Sequence, residues 1–402
     1  MLRLTPRLLL AVGVVAASAG TIAIASTGGS HRAVRAHDLQ ASTTAQHTPA
    51  RRPRAQTGRT LLQRLTPTQL AGQRIIYAYT GPQPPPSLLR LIRRGDAAGV
   101  IFFGPNIVTG SQLRGVVQKL QNANAASPVH VPLLLMTDQE GGKVRRLAGA
   151  PELSEKQLGD SENALGETRR AGSATGRNLS SAGLNVNLAP VLDVARHPGN
   201  FIDQYERSYG SNPLLAGELG QAFIESQQAT GVSATAKHFP GLGAATLAAN
   251  TDERPVTLRI PLHELRTVDE APYRLAISAG VQLVMLSWAT YPALDARLPA
   301  GLSGTIIQGE LRQRLRFSGV TITDSLEAGA LDSFGGPGER GLLAAAAGAD
   351  LLLCTSRTVD ANTPTIGVAA LHSLASALAR GRLSGGSAEQ AVRRVLALRA
   401  HA

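Results

Sequence analysis

The chain is short of several residue types, and each shortage narrows what it can do. Among 402 residues there is one cysteine, Cys354, so no disulfide can form within the chain; it lies in an apolar run, where a thiol behaves as a small buried hydrophobe. Aromatic residues make up 3%, with a single tryptophan, Trp288. There is no Gly-x-Ser-x-Gly elbow, no Walker phosphate loop and no His-Glu-x-x-His, and the nine histidines are scattered. Esterase, NTPase and zinc-hydrolase chemistry therefore have no support. Gly241-Leu242-Gly243 alone is no dinucleotide fingerprint, so no cofactor and no metal are expected. No sequence period of roughly 20 to 50 residues recurs, which excludes a solenoid.

Charge is the next imbalance, because 40 basic residues face 28 acidic ones, for a net charge of +12. Residues 1–60 hold eight Lys and Arg against one acid, a net of +7, and the remainder holds 32 against 27, a net of +5. More than half of the excess thus sits in a short leading segment. Residues 1–30 begin with Arg3 and Arg7, continue through an apolar run from Leu8 to Ala25 and contain two Ala-x-Ala sites. They read as a secretory signal peptide; an uncleaved membrane anchor is the competing reading, since about 18 apolar residues approach a bilayer's thickness. No cysteine lies near enough for a lipid anchor.

Residues 31–60 are rich in Arg, Ala, Thr, His and Pro without apolar periodicity, as expected of a disordered basic linker. Such a linker is either a solvated spacer or an attachment to an anionic cell wall or membrane surface. The expectation is an exported protein, secreted or held at the outer face of the cytoplasmic membrane, monomeric, with no nucleic-acid partner.

From residue 61 to 402 apolar runs alternate with helical patterns. Eight candidate strands are Arg74–Thr80, Gly99–Phe103, Val131–Thr137, Leu184–Pro190, Val232–His238, Val281–Trp288, Val320–Asp324 and Ala349–Cys354. Helical patterns include Ser87–Arg94, Gly110–Asn124, Leu165–Ala182, Leu214–Thr230, Leu262–Ala279, Gly304–Leu315 and Glu339–Gly348. A last helix spans Ala388–Ala400, with Ser387 as its N-cap. Near-continuous apolar strands separated by helices mark a parallel α/β sheet covered on its outer face. One single-domain (β/α)8 barrel of the TIM type fits, and a doubly wound open sheet would give the same local pattern.

The position of the polar residues favours the barrel. They follow each apolar run: Thr137-Asp138-Gln139-Glu140-Gly141-Gly142 after the third, Asn187 to Asp193 after the fourth, Lys237-His238 after the fifth, Ser287-Trp288 after the sixth and Thr323-Asp324-Ser325 after the seventh. In a closed barrel these ends converge on one mouth. Carboxylates there, Asp138 and Asp324, can attack an anomeric carbon or hold sugar hydroxyls. Asp324, ahead of Ser325-Leu326-Glu327, equally fits a helix cap. Arg146, Arg207 and Lys237 can bind hydroxyls or an acidic substituent, or serve as ion-pair partners.

These motifs together resemble glycoside hydrolase family 3, most closely its single-domain bacterial β-N-acetylhexosaminidases. The resemblance rests on Gly99-Val-Ile-Phe-Phe103, Asp138-Gln-Glu-Gly-Gly142 with Arg146, Asn187-Leu-Ala-Pro-Val-Leu-Asp193, Arg207-Ser-Tyr-Gly210, Lys237-His-Phe-Pro-Gly241 and Gly319-Val-Thr-Ile-Thr-Asp324, in that order. It implies a (β/α)8 barrel and retaining hydrolysis of a terminal β-linked sugar without a cofactor. Asp324 would be the nucleophile; Asp138, Arg146, Arg207, Lys237 and His238 would hold the sugar.

Two departures accompany the resemblance. Hexosaminidases of the family carry an Asp-Ser-His triplet, their acid/base dyad, where this chain has Ala248-Ala249-Asn250. An asparagine cannot deliver and reclaim a proton. Asp252 is therefore the expected acid/base, with Glu253 beside it and His197 and Asp203 as weaker candidates. Trp288 stands where the family has a histidine, and its ring either stacks on the sugar or fills a gap. Three functions follow: an exported glycosidase for N-acetylglucosaminides from cell-wall or other glycans, a glycosidase for gluco- or xylo-configured sugars, or a catalytically silent barrel that binds glycans or muropeptides.

Overall fold

The computed structural model describes residues 61–355 and 365–401. The expected signal segment and linker lie outside the described residues. Eight parallel strands form a closed barrel in chain order: β1 (Ile75–Tyr77), β2 (Gly99–Ile101), β3 (Leu134–Thr137), β4 (Val186–Asn187), β5 (Ser233–Phe239), β6 (Leu283–Leu286), β7 (Val320–Ser325) and β8 (Leu351–Cys354). Closure is set by β1 pairing with β8, Ile76 opposite Leu353, which excludes the open-sheet alternative.

The strands read as continuous apolar runs because both of their faces are buried. Ile76, Ile101, Leu134, Met136, Val186, Leu283, Met285, Ile322 and Leu353 fill the barrel interior. Their neighbours Ile75, Tyr77, Val100, Leu135, Ala234, Ala236, Val284 and Leu352 point outward to the helical layer. The two-residue period of a strand assigns alternate side chains to the two cores.

The last helix, Gly385–His401, closes the N-terminal end of the barrel: Val395 and Leu398 join the interior cluster. It begins earlier than expected, and Ser384 rather than Ser387 caps it, since the Ser387 N–H donates to Ser384 Oγ at 3.3 Å. The expected helix Leu262–Ala279 is broken into Leu262–Glu264, a wider π-type stretch Leu265–Asp269 and Ala271–Ser278. Pro272 lacks the N–H that an uninterrupted helix requires there. The helix Thr365–Ala379 is one the sequence patterns did not single out. Among the described residues, no helix is long and apolar enough to cross a membrane.

Candidate active site

The C-terminal ends of the strands surround a cavity of about 610 Å³. Asp138, Glu140, Arg146, Arg207, Lys237, His238, Asp252 and Asp324 all line it, so seven residues predicted from sequence meet in one place.

Its floor is a network of charges. Lys237, at the end of β5, is almost wholly buried and donates to Asp138 Oδ1 at 2.9 Å and to Glu140 Oε1 at 2.6 Å. Arg207 reaches the same Glu140 with two parallel hydrogen bonds of 2.8 and 2.9 Å. A fork of this kind is the strongest arrangement available to an arginine and a carboxylate. Burial pushes the Glu140 carboxyl up, but Arg207 and Lys237 outweigh it and hold the group down at about 2. The same attraction raises Arg207 and Lys237 against the opposing effect of burial. All three therefore stay charged at neutral pH. Arg146 approaches Asp138 Oδ2 at 4.0 Å and keeps its side chain one-third exposed.

Buried Gln139 shapes the loop that carries these groups. Its amide donates to Leu147 O and Ala150 O at 3.0 and 2.9 Å and accepts the N–H groups of Arg146 and Leu147 at 2.9 and 3.0 Å. Asn187 at the end of β4 accepts the Gln139 N–H at 3.0 Å and returns a hydrogen bond of 3.0 Å to its carbonyl.

His238 is oriented by Asp193, whose Oδ2 lies 2.7 Å from His238 Nδ1. The other oxygen of Asp193 accepts the backbone N–H groups of His238 and Leu242 at 3.2 and 2.6 Å. This fixes the ring by its inner nitrogen and leaves Nε2 as its free polar atom. Glu140 and Asp193 are the functional residues that the motif reading did not assign. Their signal was spacing: Glu140 follows Asp138 by two residues in an extended stretch, which returns it to the same side.

Asp324 stands at the end of β7, half-buried, with Oδ1 accepting the Ser325 N–H at 2.7 Å. The next helical turn begins only at Gly329, so the carboxylate faces the cavity and caps no helix. Across from it, Asp252 sits on the loop after β5. The Gly329 N–H donates to Asp252 O at 2.8 Å and the Ala330 N–H to Thr251 O at 3.0 Å, which fastens this loop to the segment following β7. Gly329 is required there, because a Cβ would lie 2.2 Å from Glu253 O. Crowding by the cavity walls, and then the charge of Asp324, raise the Asp252 carboxyl to about 6, although solvent still reaches the residue.

The remaining candidates lie elsewhere. Glu253 is exposed and pairs with Arg254 at 3.1 Å. Asp203 pairs with Lys156 at 3.3 Å, and neither it nor exposed His197 lines the cavity. Trp288 corrects the expectation of a sugar platform: it is 1% exposed and contributes nothing to the cavity wall. Its ring lies behind the wall because Gly301 leaves a space there that the six-membered ring occupies. Among the described residues, no group of three or more His, Cys, Asp or Glu side chains is arranged to hold a metal ion.

The model of the glycosyl hydrolase family 3 N-terminal domain matches residues 83–398. The chain belongs to that family. This family 3 member is 45% identical over 330 residues to a protein of Arthroderma benhamiae described as an uncharacterized secreted glycosyl hydrolase, covering 82% of this chain and 92% of the relative. Its fold superposes with a TM-score of 0.78, at 35% identity, on a family 3 β-N-acetylglucosaminidase of Paenibacillus sp., covering 84% of this chain and 62% of the other. The chain thus spans about three-fifths of that enzyme. A β-N-acetylhexosaminidase of Beutenbergia cavernae superposes at 0.73 with 29% identity, over 83% of this chain and 98% of that one.

Proposed function

We propose that this family 3 protein is an exported retaining glycosidase that removes a terminal β-linked sugar, N-acetylglucosamine foremost, from cell-wall or other glycans. The observation that carries the reading is the pair of carboxyls facing one cavity, Asp324 and Asp252, of which Asp252 is raised to about 6. A carboxyl that holds its proton more tightly than an ordinary carboxylate, facing a second carboxyl across one cavity, is what the reaction needs. The names borne by the Paenibacillus and Beutenbergia enzymes support the choice of N-acetyl sugar.

In this mechanism Asp138, Lys237, His238, Arg207 and Arg146 hold the hydroxyls of the terminal sugar. The Asp324 carboxylate attacks the anomeric carbon, and the bond to the leaving oxygen breaks as Asp252 donates its proton to that oxygen. The resulting glycosyl ester is attacked by water, Asp252 now takes the water's proton, and the Asp324 carboxylate is released. Asp252 takes the place of the Asp-His dyad, whose loop position is Ala248-Ala249-Asn250 here. That replacement also favours two further readings: a gluco- or xylo-specific enzyme, and a silent glycan-binding barrel.

The test is hydrolysis of aryl β-N-acetylglucosaminide, β-glucoside and β-xyloside by the purified protein, with Asp324→Asn as the blank. Turnover of the N-acetylglucosaminide that disappears in Asp324→Asn is expected. Turnover of another sugar would move the specificity, and turnover of none, with wall fragments still bound, would establish the glycan-binding reading instead.

A further inference from the structure

We propose that Trp288 is a positioning residue that holds the main chain carrying Asp324 at its working depth in the cavity. The inference rests on the reading of Asp324 as the nucleophile. The ladder between β6 and β7 runs from Leu283 opposite Val320 to Leu286 opposite Thr323 and stops there. On its other side, the pairing of β7 with β8 shifts between Ile322 and Ser325. The nucleophile therefore stands past the end of the β6 ladder and inside an irregularity of the β8 ladder, which resumes with Ser325 opposite Leu353 and the Leu326 N–H on Leu353 O at 3.0 Å, so on its β6 side the backbone needs another support.

Trp288 supplies that support. Two residues past the end of β6, its Nε1–H donates to the Ser325 carbonyl at 2.8 Å. Ser325 in turn gives its own N–H to Asp324 Oδ1 at 2.7 Å and shares a hydrogen bond between its hydroxyl and that of Thr355. The indole thus fixes the residue that fixes the carboxylate. The ring itself is wedged from behind. A Cβ on Gly301 would lie 2.4 Å from its Cζ3, and Gly301 is pinned by its N–H to Ser287 O and by Ala300 N–H to Ala289 O, each at 3.0 Å. The Ser325 carbonyl also accepts the Ala328 N–H at 3.1 Å, so losing the indole donor removes one of its two hydrogen bonds and the one that ties it to the end of β6. A nucleophile displaced by about 1 Å loses on the order of 100-fold in rate while substrate binding, made by the charged floor, is retained.

Because Trp288 is the only tryptophan, its emission reports this contact alone. The experiment compares the full-length protein with Trp288→Phe, which keeps a ring and removes the donor, and with Gly301→Ala, which pushes the ring from the side away from the cavity. For an aryl β-glycoside that the wild type turns over, we expect kcat to fall at least tenfold in both variants with KM within about twofold, at temperatures well below unfolding. Trapping the glycosyl-enzyme with a 5-fluoro glycosyl fluoride of the same sugar is expected to shift wild-type tryptophan emission, and to leave Asp324→Asn unshifted. Wild-type kcat in both variants, or stoichiometric trapping with no change in emission, would overturn the proposal. If Trp288→Phe does not fold, Gly301→Ala and the wild-type emission decide. Activity surviving in Asp324→Asn is a different failure, that of the nucleophile assignment, and the proposal falls with it.

Discussion

The two ends of the barrel both bury arginines, and Arg207 at the mouth is satisfied differently from Arg399 and Arg74 at the other end, where the carboxylate of Asp350 is taken up by Arg312 and Arg394 at 2.6 and 2.7 Å. At the C-terminal mouth, Arg207 is forked onto the Glu140 carboxylate, which raises it. At the N-terminal end, Arg399 donates to the carbonyls of Pro132 and Val131 at 2.8 and 2.6 Å, and Arg74 to that of Ala349 at 2.5 Å. Burial pushes Arg399 down to about 9 and Arg74 to about 10, still far enough above neutral pH to remain charged. A carbonyl cage spends the guanidinium's donors on tying the last helix and the strand starts together. The ion-paired floor at the mouth holds its charges in place while leaving Asp138, Arg146 and His238 open to a ligand. Arg207 thus belongs to the floor of the cavity, and Arg399 and Arg74 to the closed end.

The largest expected break in this contrast is Glu140→Gln. It takes the forked carboxylate from Arg207 and leaves Lys237 with Asp138 alone, so the protein should lose about 3–5 kcal/mol of stability and its glycan binding together, as read by chemical denaturation and by titration with the product sugar. Retained binding would show that the floor is held by Asp138 alone.

Asp252→Asn leaves the Arg207–Glu140 fork and the carbonyl bonds of Arg399 and Arg74 in place. Hydrolysis of glycosides with poor leaving groups should slow by about 10²–10⁴, with stability unchanged. If Asp252 is the proposed acid, raised to about 6, it acts when protonated, and the wild-type rate should fall as pH rises through that value. That alkaline limb should vanish in the variant; its persistence would assign the proton to another group.

Arg399→Met sharpens the comparison from the other side. The Pro132 carbonyl loses its guanidinium donor while Val131 O keeps the Asn124 amide at 2.8 Å, which should cost about 1–3 kcal/mol, and kcat and KM should stay at wild-type values. A fall in kcat would mean the two ends are coupled.

The smallest effect concerns a second buried glutamate under the mouth. Glu155 accepts the Val191 N–H at 2.8 Å, and burial together with the Glu140 charge raises it well above the ordinary 4.5. The folded state therefore keeps a proton that the unfolded chain releases, and stability should decline as pH rises above 4.5. Glu140, held at about 2, works in the reverse direction, contributing stability above 4.5 that is lost as pH falls toward 2. Glu155→Gln should flatten only the decline on the neutral side, in unfolding midpoints measured across pH; an unaltered profile would mean that Glu155 is ionised.

The strands were legible because their residues pack on both faces, giving uninterrupted apolar runs, and the site because polar residues gather where those runs end. Glu140 and Asp193 lie within Asp138-Gln-Glu-Gly-Gly142 and Asn187-Leu-Ala-Pro-Val-Leu-Asp193, but a carboxylate that organises other side chains has no sequence mark distinguishing it from one that meets substrate. Which of its two alternatives Trp288 takes was not legible for a related reason. Its place after a strand gives its height in the barrel, whereas the side to which the ring turns depends on Gly301, in a later loop. Ser387 and the broken helix at Leu265–Asp269 were misread locally, since a cap or a widened turn is decided by a few hydrogen bonds that residue patterns scarcely constrain.

The two backbone hydrogen bonds from Gly329 and Ala330 to Asp252 and Thr251 have a meaning for descent as well as for geometry. If Asp252 and Asp324 act as proposed, these bonds make proton donor and nucleophile a single heritable unit written in two distant parts of the gene. A recombinant that exchanged residues 250–254 with a relative would inherit half of a matched pair. Divergence within the family would then leave correlated changes at 250–254 and 328–330, and a library that varies the two segments jointly should yield active enzymes that neither segment yields when varied alone.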